Sequence, residues 1–224
     1  MKQTGLHERI HKGFRVWLFE TGIRVQQTDF TNADEGRKMA SELLELLRTL
    51  DRKYLLETQF FFPALALQAP FSVSLLEEEK REAENHSRQL GRLIQQYFQP
   101  GTRGHVTKTG FSIQEGFCKL VSFLMVYMNH QDALFRELTG NGPGADYSFE
   151  DLARLLVNEG EPIENIMLML LKGMGQREIL QWLQADSSDT IDRKLGLIDG
   201  LQPAARKGLR DMLQAGQKGL RVAA

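Results

Sequence analysis

Between residues 33 and 65 the apolar side chains recur every three or four positions, Leu43, Leu47, Leu50, Tyr54 and Phe61, and Glu57 occupies the place in that stripe where a further leucine belongs. Residues at these spacings share one face of an α-helix, so the segment is expected to bury that face and carry an acid into the core. The same rhythm appears in 5–28, 71–98 and 111–139, while strand-like alternation is absent. Oxygen-bearing caps followed by an acid precede these runs: Thr31 with Asp34, Ser74 with Glu77, Ser112 with Glu115, and later Ser148 with Asp151. The chain is therefore expected to be all-α. Short connections make neighbouring helices antiparallel, which gives an up-down four-helix bundle over 1–140.

After Gly140-Asn141-Gly142-Pro143-Gly144 the texture changes to shorter helices, near 148–158, 162–173, 176–185, 189–199 and 203–219. We expect 145–224 to be a short-helix C-terminal extension packed on the bundle. Its segment Ile166-Met167-Leu168-Met169-Leu170-Leu171 is apolar all round, so it is expected to be buried against the bundle or in a homodimer interface.

Composition narrows the function classes. A formal net charge of −1 gives no electrostatic reason to expect nucleic acid or an anionic membrane as the partner. The single cysteine, Cys118, allows no intrachain disulfide and no cysteine-built zinc site, and fits a reducing, cytoplasmic setting. The first residues are polar where a signal peptide needs an apolar stretch, and no apolar run reaches the roughly 18 to 20 residues that span a bilayer. Cys118 has no neighbouring base that would make it a nucleophile, and no Ser-His-Asp spacing is present, so neither nucleophilic route to an enzyme is indicated, and a metal-dependent oxidase is the enzymatic reading left open.

The polar residues on inner faces carry more information. Helix 1 places His11 beside Ile10 and Phe14, with His7 four residues earlier; helix 2 places Glu57 with Lys53 at its edge; helix 3 places Glu79, Glu82 and His86; helix 4 places Tyr127 and Gln131. Counting back from each connection at about 1.5 Å per residue puts His11, Lys53, Tyr54, Glu57, Glu82, His86, Tyr127 and Gln131 within about two turns of one another. Burying several ionisable groups is costly unless they pair or bind a cation, so this layer needs a physical explanation.

At these residues the chain resembles the hemerythrin-like (HHE cation-binding) family. The resemblance covers roughly 6–155 and rests on Ile10-His11-Lys12-Gly13-Phe14-Arg15, on Glu57-Thr58-Gln59-Phe60-Phe61-Phe62-Pro63-Ala64-Leu65 and on Asn129-His130-Gln131-Asp132-Ala133-Leu134-Phe135. The start of the next helix, Tyr147-Ser148-Phe149-Glu150-Asp151-Leu152, is similar too. The resemblance implies a four-helix bundle holding a di-iron centre, with His11 and Glu57 at ligand positions. Lys53 stands where the family has its second-helix histidine, and Tyr127 and Gln131 stand where it has a histidine and a glutamate.

Two expectations follow. In one, His11, Glu57, Glu82 and His86, with Tyr127 as phenolate, hold one Fe, Mn or Zn, or an altered di-iron pair, in a sensing or regulatory protein. In the other, the Lys53 ammonium replaces the metal charge, pairs with Glu57 and Glu82, and leaves a metal-free structural or interaction module.

Overall fold

The computed structural model describes residues 6–99 and 101–140. These are all-helical: α1 (Leu6–Gln27), α2 (Ala33–Leu56), a π-helical turn (Glu57–Phe61), α3 (Phe62–Ala66), α4 (Pro70–Phe98) and α5 (Arg103–Gly140). The expected C-terminal helices, with the apolar 166–171 segment and the Ser148 cap, lie outside the described residues. The chain divides into two compact units, Leu18–Ala145 and a second made of Met1–Trp17 with Asp146–Ala224, and the boundary falls inside α1. Within the second unit Ile10, His11 and Phe14 are buried and the Phe14 and Trp17 rings lie 6.2 Å apart.

In the first unit α4 is the shared partner, packing against both α2 and α5. Its direction relative to each can be read from side chains. Tyr97 meets Gly36, Gly91 meets Leu47, and Lys80 lies over the Tyr54 ring, so α2 and α4 run antiparallel. Leu93 meets Gly116, His86 faces Phe123, and Glu79 bonds His130, so α4 and α5 run antiparallel too. The core between them is Leu43, Leu46 and Leu50 from α2, Leu90 and Ile94 from α4, and Ile113, Phe117, Leu120 and Leu124 from α5. Leu18 and Val25 add the end of α1, and the Val25 carbonyl accepts a hydrogen bond from Gln114.

The helix starts follow local chemistry only in part. α2 is capped by Asn32, whose Oδ1 accepts from the Asp34 and Glu35 amides, rather than by the expected Thr31; Thr31 instead bonds Asp29 in the preceding turn. α4 begins at Pro70, whose fixed φ suits a first helical position, not at the Ser74 cap. α5 begins at Arg103, well before the expected 111, so Ser112 lies inside it. Tertiary packing explains the difference. Thr109 and Gly110 are buried, and a Cβ on Gly110 would stand 2.4 Å from that of Phe30. Phe30 in turn anchors the 28–32 connection through its carbonyl, which accepts from the Tyr97 hydroxyl at 2.9 Å. Helix here is held by contact with a loop distant in sequence, which no local cap signal records.

The polar core and candidate functional site

The second helix does not run uniformly to its end. Its stretch up to Ala66 stays helical, as expected for 33–65, but widens into a π turn at Glu57, where the Phe62 amide donates to the Glu57 carbonyl five residues back. The cause is visible one position on. Pro63 has no N–H to donate and its ring would press on the preceding turn, and the wider π turn accommodates it without ending the helix.

Lys53 and Glu57 lie four residues apart on one face of this element, and both are buried. The Lys53 ammonium forms an ion pair with Glu57 Oε1 and donates to Gln131 Oε1 at 3.4 Å. From α5, Gln131 Nε2 donates to the same Glu57 oxygen at 2.9 Å, and the Tyr127 hydroxyl donates to the other, Oε2, at 2.7 Å. Lys53 Nζ also lies 5.0 Å from the centre of the Tyr127 ring, so the aromatic face stabilises the ammonium while the hydroxyl stabilises the carboxylate. Burial, reinforced by the Glu57 charge, raises the Tyr127 phenol far above its ordinary value, so the group stays neutral and remains a donor.

Around this closed set stand three buried atoms without a hydrogen-bond partner among the described residues: Tyr54 Oη, Ser87 Oγ and Glu79 Oε2. Burial raises the Tyr54 phenol above its ordinary value. The other Glu79 oxygen lies 2.6 Å from His130 Nδ1 at the half-open edge between α4 and α5.

The structure brings together Lys53, Tyr54, Glu57, Tyr127 and Gln131 as the spacing required. Two members of the expected layer are corrected. The Glu82 side chain is 62% exposed, and it meets His86 Nε2 only at 4.0 Å; the expected Lys53–Glu82 pairing is not made. The His86 ring lies against Phe123, partly exposed, instead of facing Glu57. The reason is the true inward stripe of α4, which is Leu76, Ala83, Ser87, Leu90, Ile94 and Tyr97. Glu82 and His86 each sit one residue before an inward position, about 100° round the helix. His11 is buried but belongs to the other compact unit. Glu79 is where its inner-face position put it, but its pairing with His130 and the presence of Ser87 were not foreseen; a small polar residue inside the corrected stripe is the one signal that marks Ser87.

Both Glu57 oxygens already accept hydrogen bonds, one from a fixed cation, Glu82 points outward, and among the described residues no group of three or more His, Cys, Asp and Glu side chains is arranged to hold a metal ion. What the arrangement does chemically is satisfy a buried carboxylate from three sides. No described helix is long and apolar enough to cross a membrane. No family model, no curated protein and no solved structure matches the chain.

Proposed function

We propose that this chain is a divergent hemerythrin-like helical protein in which the Lys53 ammonium stands in for the metal charge of that family, and that it works as a metal-free structural or interaction module. The observation that carries this reading is the occupancy of Glu57. The carboxylate that would have to turn toward a metal is held by Lys53, Gln131 and Tyr127, and freeing it would leave a buried ammonium without its counter-charge. A second cation beside Lys53 would also be repelled in this low-dielectric interior.

The up-down four-helix bundle is part of the same reading. It is supported by the two antiparallel pairings of α4 and by the end of α1, where Val25 meets Gln114 and Gly22 meets Phe117, so that α1 and α5 run in opposite senses. A near-neutral chain with one cysteine suits a cytoplasmic protein whose partners are proteins in place of nucleic acid or lipid.

The test is elemental analysis of full-length protein expressed in iron-rich medium and again after anaerobic loading with Fe(II), together with a visible spectrum. The expected result is no stoichiometric transition metal. Stoichiometric iron with an oxo-to-iron charge-transfer band overturns the reading and restores the iron-binding one.

A further inference from the structure

We draw no further inference here: the strongest candidate, the apolar groove between the last turns of α1 and the middle of α5 lined by Phe19, Gly22, Ile23 and Cys118, carries nothing because nothing in the structure shows what covers it.

Discussion

Lys53 and Glu57 stand one turn apart on the same helical element, and their ion pair is closed off from water where that element widens into a π turn. An i,i+4 pair of this kind on a helix surface contributes only a few tenths of a kcal/mol. Buried, its value is conditional, because each charge is tolerated only while the other is present. Removing one partner alone is therefore expected to be costly. Lys53→Met should destabilise by about 3–5 kcal/mol in urea or guanidinium unfolding, with Glu57 left uncompensated. Lys53→Met combined with Glu57→Leu should recover most of that loss. A double variant as unstable as the single one would show that the pair is not the unit of stability here.

The two core tyrosines separate a satisfied hydroxyl from an unsatisfied one. Tyr127 donates to an ionised acceptor, so Tyr127→Phe is expected to cost about 1.5–3 kcal/mol. Tyr54 Oη is buried without a hydrogen-bond partner among the described residues, and Tyr54→Phe keeps the ring while removing that liability. It should change stability by less than about 0.5 kcal/mol or raise it slightly. Equilibrium unfolding of both variants side by side checks the contrast, and equal losses would contradict the hydrogen-bond assignment.

Alkaline pH should act through the same residues. Burial raises the phenol pKa of Tyr54, Tyr97 and Tyr127 above the ordinary 10.0. Above pH 10 the unfolded chain then loses protons that the folded chain retains. Stability contributed by these groups is intact below the unfolded pKa and falls as pH rises beyond it. Ultraviolet titration should show these tyrosines ionising late and together with loss of helical circular dichroism. Tyr127→Phe should flatten the alkaline decline. Independent ionisation of all tyrosines near pH 10 with the fold intact would run against the burial described here.

How far the sequence could foretell this arrangement depended on the kind of contact involved. Glu57, Tyr127 and Gln131 fall on the inward stripes of their helices, so their height and direction followed from helical spacing and antiparallel counting, whereas Lys53, at the edge of its stripe, was placed by height alone. Glu82 and His86 failed because inward and outward differ by about 100° on a helix, a single residue, and two residues in α4 satisfy the same rough stripe. The smaller Ala83 and Ser87 take the inward places, Ser87 next to Tyr54. The early start of α5 was hidden for another reason. It depends on Gly110 fitting under Phe30 and on Tyr97 fixing the Phe30 carbonyl, contacts between segments far apart in the chain. The Glu79–His130 pair, joining α4 to α5, is of the same non-local kind.

The role given to Lys53 has a direct chemical consequence. If its ammonium is what supplies positive charge to Glu57, replacing it with a neutral imidazole removes the resident cation and adds a metal-binding nitrogen one turn from the carboxylate. Lys53→His should then bind a divalent transition ion more tightly than the native chain by about tenfold or more, a difference of about 1.4 kcal/mol. Co(II) is the suitable probe, because its visible absorption reports ligand type as well as occupancy. Lys53→Met removes the charge without adding a ligand, so it separates relief of repulsion from coordination. Equal Co(II) affinity in native and Lys53→His protein would mean that the lysine does not stand in for a metal, and the buried pair would then be only a structural feature of the core.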